Sequence, residues 1–283
     1  MRFVVFSDIH NNFHALEAAV ADAQKLSPDE IFVAGDFLNR GPQPREVLSF
    51  LRAQKWPMLR GNHEDYVLAQ CAEFDRDDPR ANPIWQPARW TAQQIGKQAE
   101  DVAELPIWRE FYIAPNIRVL VVHGTPQFNN DGIFGRTGDD EIRAILESHF
   151  EITNDCTPIS LLVCAHTHVP LLRYVGRTLV VNIGATGLPF NGDERAQYGV
   201  FTWKNHTWDV ELKRVEYSKE ATVQAAHTNN FYDGGGPLAR VIMEEFKTAR
   251  PHLGPWVRDF GDEVRSGKLS VAKAVEMYFQ NLR

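Results

Sequence analysis

This chain is poor in cysteine: its 283 residues carry three, Cys71, Cys156 and Cys164, and no two form a CxxC pair. That excludes a disulfide framework and a cysteine-rich zinc site, and points to free thiols in a reducing compartment. Surplus positive charge is also missing. Against 37 Asp and Glu stand 30 Lys and Arg, a net charge of −7. Phosphate backbones are held by basic stripes, so no nucleic-acid footprint of any size is expected. A small phosphorylated substrate stays open, because bound cations would reverse the local sign. No stretch reaches the ~18 consecutive apolar residues of a membrane-spanning helix. The opening MRFVVFSD runs straight into a strand-like pattern, without the charged lead and apolar run of a signal peptide. A cytoplasmic protein with no membrane partner is the expectation. No internal repeat or low-complexity run is present.

What is present is hydrophobic periodicity of two kinds. Residues 2–6, 30–34 and 57–60 read as short buried strands. Helical spacing runs from Phe13 to Ala23, and Pro44 can open a helix through Val47, Leu48 and Leu51. Strand–helix alternation implies a parallel sheet with crossover helices, an α/β chain (α+β in some schemes). Residues 64–112 are instead helix-compatible, broken by Pro79, Pro83 and Pro87, with Trp85, Trp90 and Trp108. They read as a helical insertion whose tryptophans form its core; a second reading puts one at a pocket rim, stacking on a nucleobase. Strands return at 117–122, 160–164 and 178–182, and 198–204 with 207–216 reads as a hairpin turning at Asn205. The core is therefore expected to hold two mixed sheets. Asp233–Gly234–Gly235–Gly236–Pro237 reads as a linker, and Val271, Val275, Tyr278 and Leu282 beyond it form an apolar stripe at helical spacing. Residues 217–283 are expected to be a helical extension packed on the domain of residues 1–216.

Seven side chains of metal-ligand type occupy five short clusters, four of them directly after strand-like runs: Asp8 and His10, Asp36, Asn62, His123, and His166 with His168. Ligand sites in open α/β sheets form beyond the carboxyl ends of strands. Each cluster alone has a bland explanation, such as a helix cap, a turn or a solvated loop. Together they suit a pair of divalent ions. A carboxylate can bridge two cations, neutral imidazoles complete each shell, and the Asn62 amide is a hard neutral donor. Two ions about 3.5–4 Å apart would lower the pKa of a water between them toward ~7 and let the hydroxide attack phosphorus in line. Nitrogen and oxygen donors fit Mn, Fe, Zn, Co or Ni. His14, His149, His206, His227 and His252 have no comparable context.

The blocks DIH, GDF, RGNHE, VVHG and AHTH resemble the pattern DxH, GD, GNH[DE], H and GHxH of the calcineurin-like metallophosphoesterase superfamily, over roughly residues 1–215. The stretch from Asn182 to Pro189, followed by Asn191–Gly192–Asp193, resembles its bacterial phosphodiesterase-like branch. That branch includes enzymes acting on simple phosphodiesters and on dinucleoside polyphosphates. The resemblance implies a four-layer αββα sandwich, with two sheets face to face and helices outside. It implies one ion on Asp8, His10 and His168, another on Asn62, His123 and His166, and Asp36 bridging them, with Mn or Fe favoured. His63 would be the catalytic residue, facing the leaving-group oxygen. Three departures stand out. Ala165 replaces the usual Gly, Asn11 replaces the Gly after His10, and Asn39 stands where related phosphatases carry the Asp that orients the histidine. Asn12, Asn39 and Arg40 are the expected substrate-binding residues, with Asn39 accepting from His63 through its oxygen. The expected activity is hydrolysis of a small phosphodiester or nucleotide-like substrate. A serine/threonine protein phosphatase, suggested by Arg40–Gly41–Pro42, and a non-catalytic metal-binding scaffold are the alternatives.

Overall fold

The computed structural model describes residues 1–72, 75 and 78–282. Among these residues, ten strands form two five-stranded sheets. The first is ordered β10 (Thr207–Val215), β9 (Ala196–Lys204), β1 (Arg2–Phe6), β2 (Glu30–Ala34), β3 (Met58–Leu59). The second is ordered β4 (Trp108–Ala114), β5 (Ile117–Val122), β6 (Ile159–Cys164), β8 (Thr178–Asn182), β7 (Leu171–Val175). In the first, β1, β2 and β3 are parallel and run to one edge, with β9 and β10 antiparallel on the other side; in the second, a parallel centre of β5, β6 and β8 is flanked by antiparallel β4 and β7.

Period-two alternation sorts the strand side chains into layers. Phe3, Val5, Phe32 and Ala34 of the first sheet meet Val119, Val121, Leu161, Val163 and Val181 of the second in one inter-sheet core. Their neighbours Val4, Phe6, Ile31 and Val33 face outward onto helices α1 (Phe13–Gln24) and α2 (Pro44–Gln54). On the other side, Leu120, Val122, Leu162 and Val180 face Ile142 and Leu146 of α6 (Asp139–Thr153). The result is the expected four-layer sandwich. The hairpin joining β9 and β10 turns at Asn205 and His206, with φ of 51° and 61°, the pair of left-handed residues that a tight two-residue turn requires.

The helical insertion holds α3 (Asn62–Ala69), α4 (Gln86–Ile95) and α5 (Ala99–Ala103); residues 73, 74, 76 and 77 of the expected stretch lie outside the described residues. Its end needs correction. Residues 108–114 are not helical but form β4, pairing with β5 from Trp108↔Val122 to Ala114↔Ile117. Aromatic and β-branched residues in WREFYIA favour a pleated, half-buried edge. Trp108 accordingly packs on His149 of α6, whereas Trp90 is buried against Phe231. Strand β7 was not anticipated at all.

The C-terminal segment holds α7 (Lys219–Thr228), α8 (Phe231–Gly234), α9 (Leu238–Thr248), α10 (Leu253–Arg265) and α11 (Val271–Asn281). The expected linker is instead α8 and a tight packed turn into α9. Val271, Val275 and Tyr278 bury against Leu238, Trp256 and Phe260, while Leu282 stays half exposed. Hydrogen bonds tie these helices to the sandwich: Thr222 donates to the Asn12 amide at 2.9 Å, and Asn229 donates to the Pro42 carbonyl at 3.1 Å.

Gly187 lies where the loop after β8 crosses the loop after β1, and a Cβ there would sit 1.8 Å from the Ile9 carbonyl oxygen. Two backbones must separate to admit it. Gly187→Ala should lower unfolding free energy by about 2–3 kcal/mol, read as a reduced midpoint in urea denaturation.

Candidate metal centre

The seven expected ligands come from five loops at the carboxyl ends of β1, β2, β3, β5 and β6, and the structure brings them together. Backbone conformation aims several of them. Asp8, His10, Asp36, His166 and His168 hold φ between 48° and 65°, a region that Asp, Asn and His enter more readily than most residues. Asn11, in place of the usual glycine, takes φ 54°. Ala165 is buried and is not among the positive-φ residues, so a methyl group costs nothing there. Gly35 does need its missing side chain. Its φ is 86°, and a Cβ would lie 2.7 Å from the Gly61 nitrogen and 2.8 Å from His123 Nδ1.

The two carboxylates are buried and half satisfied. Asp36 Oδ1 accepts from the His63 backbone N–H at 2.8 Å, at the positive end of α3. Its Oδ2 has no hydrogen-bond partner, and faces His123 Nε2 at 3.2 Å and His10 Nε2 at 3.8 Å. Asp8 repeats the pattern: Oδ2 accepts from the His166 N–H at 3.2 Å. Its Oδ1, without a hydrogen-bond partner, lies 3.2 Å from His168 Nε2. His10 Nε2 and His168 Nε2 are 3.2 Å apart, and Asn62 Oδ1 lies 3.2 Å from His123 Nε2 and 2.9 Å from His166 Nδ1. Two donors about 2.1 Å from a shared ion, at right-angled to tetrahedral geometry, sit about 3.0–3.4 Å apart. Several of the spacings match. The ligand atoms fall into two compact groups, Asp8–His10–Asp36–His168 and Asp36–His123–His166, with Asp36 common to both.

Outer hydrogen bonds fix which ring nitrogen faces the centre. His123 Nδ1–H donates to the Ala34 carbonyl at 2.8 Å, and His168 Nδ1–H donates to that of Leu188. Glu64 braces the Asp36 loop. Its carboxylate accepts from the N–H groups of Asp36, Leu38 and Gly61 at 2.7–2.8 Å. Burial and the Asp36 charge push Glu64 up to about 8, against those hydrogen bonds. Burial also lowers the pKa of His10 and His166, keeping both neutral, as metal donors must be. His123 differs. Burial opposes its charge, but Asp36 beside it raises it to about 10. Asp36 is likewise destabilised as an anion by burial, yet the imidazoles of His123 and His63 hold it well below the usual carboxylate range.

The substrate-side residues divide. His63, Asn39 and Arg40 line a cavity of about 330 Å³ that opens on Asp36, Asn62, His166 and His168. Asn39 Oδ1 accepts from the Arg40 N–H at 2.8 Å, so its Nδ2, 3.0 Å from His63 Nδ1, is the donor. The anticipated sense of that bond is thus reversed. A ring accepting at Nδ1 carries its proton on Nε2. Burial lowers the His63 pKa as well. Asn12 does not reach the cavity. Its Oδ1 caps α1 through Ala15 N and accepts from Thr222, and its Nδ2 donates to the Gly187 carbonyl at 2.8 Å and to the Tyr217 hydroxyl at 3.2 Å. Both ends of that amide are occupied, which leaves it no bond for a substrate oxygen. Arg40 Nη1 donates to Glu245 of α9 at 2.6 Å, and its guanidinium lies 5.9 Å from the Phe190 ring centre. Phe190 stacks on His168 at 4.2 Å. Sequence reasoning missed Glu64, Phe190 and Glu245. Glu64, three residues after Gly61 at a helix start, carried a capping signal; Glu245, 205 positions from Arg40, carried none.

The chain belongs to the calcineurin-like phosphoesterase superfamily, whose domain matches residues 1–206. It is thus a phosphoesterase whose family works with divalent metal ions. An uncharacterized protein of Methanocaldococcus jannaschii is 25% identical over 229 residues, covering 75% of this chain and 86% of its own. The symmetrical bis(5'-nucleosyl)-tetraphosphatase of Erwinia tasmaniensis is 24% identical over 265 residues, covering 90% and 77%. The crystal structure of a metallophosphoesterase from Sphaerobacter thermophilus shares the fold at a TM-score of 0.67 and 24% identity, over 88% of this chain and 99% of its own.

Two predictions come from this geometry. With a pKa of about 10, His123 is an imidazolium at pH 7 without metal, and a cation must displace its proton. Calorimetric titration with Mn²⁺ in buffers of different ionisation enthalpy should show about one proton released, and affinity should rise about tenfold per pH unit between 7 and 9. Asn39→Asp would let Nδ1–H donate to a carboxylate, favouring the protonated ring. Turnover of an alkyl ester should then rise about tenfold, for about one pKa unit, relative to that of a p-nitrophenyl ester.

Proposed function

We propose that this chain hydrolyses small phosphodiesters or phosphoanhydrides of nucleotide-like chemistry with two divalent ions, Mn²⁺ or Fe favoured. One observation carries this reading: two buried carboxylates each anchor one oxygen on backbone N–H and turn the other toward a cluster of four imidazoles and an amide. Buried anionic oxygens are costly without positive charge beside them, and cations there would supply it to both. Asp8, His10 and His168 would hold one ion, Asn62, His123 and His166 the other, with Asp36 shared. The ions would supply positive charge to phosphoryl oxygens and lower the pKa of a nearby water.

The chain's own groups do the rest. His63, neutral and protonated on Nε2, donates a hydrogen bond to the leaving oxygen as negative charge develops there. Arg40 keeps Nη1 on Glu245 and has further N–H donors for a phosphoryl oxygen. A neutral donor suits good leaving groups, such as phosphoanhydride or aryl oxygens, better than alkoxides. The tetraphosphatase of Erwinia tasmaniensis, by its name a phosphoanhydride hydrolase, supports that class. We assign the chemistry to residues 1–216 and treat 217–283 as a covering extension; the free thiols at Cys71, Cys156 and Cys164 fit a cytoplasmic setting.

The test is a hydrolysis screen over phosphomonoesters, diesters, dinucleoside tetraphosphate and a phosphoserine peptide with added Mn²⁺. Diesters or the tetraphosphate should turn over, and chelation should abolish the activity. His63→Ala should lower kcat by about 10²–10⁴ while bound metal, measured by elemental analysis, is unchanged. Preference for the peptide, or turnover unaffected by His63→Ala, would overturn the reading.

A further inference from the structure

The cavity beside the metal centre has two unlike halves. One carries the polar groups described above. The other is largely apolar, and four of its apolar residues lie beyond residue 206, where the superfamily match stops. Leu238 and Ile242 of α9 and Leu253 and Val257 of α10 line it together with Ile84, Trp85, Pro87 and Ala88 of the insertion, and Arg265 of α10 adds one charged group. An aromatic path connects the halves. The His63 and Tyr66 rings are 5.2 Å apart at 69°, and Tyr66 and Trp85 follow at 5.4 Å and 55°.

We infer that this apolar half binds a flat aromatic group attached to the substrate phosphoryl, a nucleobase or an aryl ring, and so sets which phosphoesters are accepted. The inference rests on the phosphoesterase reading of the adjoining centre and specifies its substrate. A volume of about 330 Å³ lies at the small end of ligand pockets, about 300–1,000 Å³, enough for one ring system and its phosphoryl. A peptide backbone is a poor occupant, because its N–H and C=O groups would meet aliphatic side chains and stay unpaired. A ring brings little polar surface to that lining, and the Tyr66 and Trp85 rings offer faces and edges to pack on. The α9 helix serves both halves, since Glu245 on it holds Arg40 while Leu238 and Ile242 line the apolar one.

Binding, rather than turnover, tests this on the full chain loaded with Mn²⁺. Calorimetry would compare methylphosphonate, phenylphosphonate and the 5'-phosphonate analogue of adenosine monophosphate, none of which can be hydrolysed at phosphorus. At least one aromatic ligand should bind tenfold or more tighter than methylphosphonate, and the ring preferred distinguishes aryl from nucleobase. Trp85→Ala removes the packing surface and Val257→Trp fills the space; each should bring that ratio toward one, and either variant suffices if the other fails to fold. Equal affinities in the unaltered protein, a ratio preserved in the folded variants, or no binding of any phosphonate would overturn the inference. Aromatic preference without hydrolysis of any ester would instead sink the hydrolase reading and leave the aromatic cavity standing.

Discussion

The constraint on which this structure turns is a buried anion that is deliberately half paired. Asp36 is almost fully enclosed, with one oxygen tied to the start of α3 and the other facing imidazoles of two separate groups. A carboxylate in such a place is expensive unless positive charge is close. Without metal, the protonated His123 supplies it; with metal, the ions would. The centre would thus exchange a proton for cations, while Glu64 holds the Asp36 loop through three backbone N–H groups. The Asp36 charge reaches that brace as well, since it helps to raise the Glu64 pKa.

Backbone strain is the second half of the same design. Asp8, His10, Asp36, His166 and His168 all sit in the left-handed region, where a non-glycine residue costs of order 1–3 kcal/mol and persists only if its surroundings determine it. The surroundings here are the ends of parallel strands whose inter-sheet core is packed without exposure at Phe3, Val5, Val121 and Val163. Strand ends fixed by that core leave each following loop little choice of direction. The close approach of Gly35 to Gly61 and His123 shows how tightly the loops of the two sheets meet. Donor geometry is thus inherited from sheet packing rather than made by the loops alone.

Much of this was legible in the sequence because it is local. Short continuous apolar runs with a donor two residues beyond them announce both a buried strand and a ligand, as at Val4–Val5–Phe6 before Asp8 and Val33–Ala34 before Asp36. What stayed hidden was non-local or ambiguous in period. The half-buried edge strand β4 was lost among tryptophans and prolines that read as helix, and β7 is an edge strand that leaves Leu172 and Tyr174 exposed and carries Arg173 on its other face. Asn12 has the amide N–H groups that a substrate oxygen would use, but the Gly187 carbonyl and the Tyr217 hydroxyl, far along the chain, accept them. The sense of the Asn39–His63 bond depends on a third group, the Arg40 N–H, which takes the oxygen. No pattern at position 39 could display that.

The division of labour follows from where each contact originates. The charge-bearing part of the centre comes entirely from loops of the two sheets, within residues 1–206, and its geometry is set by strain and packing that admit few substitutions. The rest of the cavity lining comes from elsewhere, including the insertion with Trp85 and the helices α9 and α10. Arg40 is the link: it leaves the β2 loop in a left-handed conformation, φ 67°, but its guanidinium is placed by Glu245. The other oxygen of that carboxylate accepts from the His252 and Leu253 N–H groups at the start of α10. One buried acid therefore couples the position of Arg40, the arginine proposed to meet the phosphoryl group, to the helix that lines the apolar part of the cavity. On that proposal, changing those helices would alter which esters fit without disturbing the ligand loops, provided that Glu245 keeps its hold on Arg40.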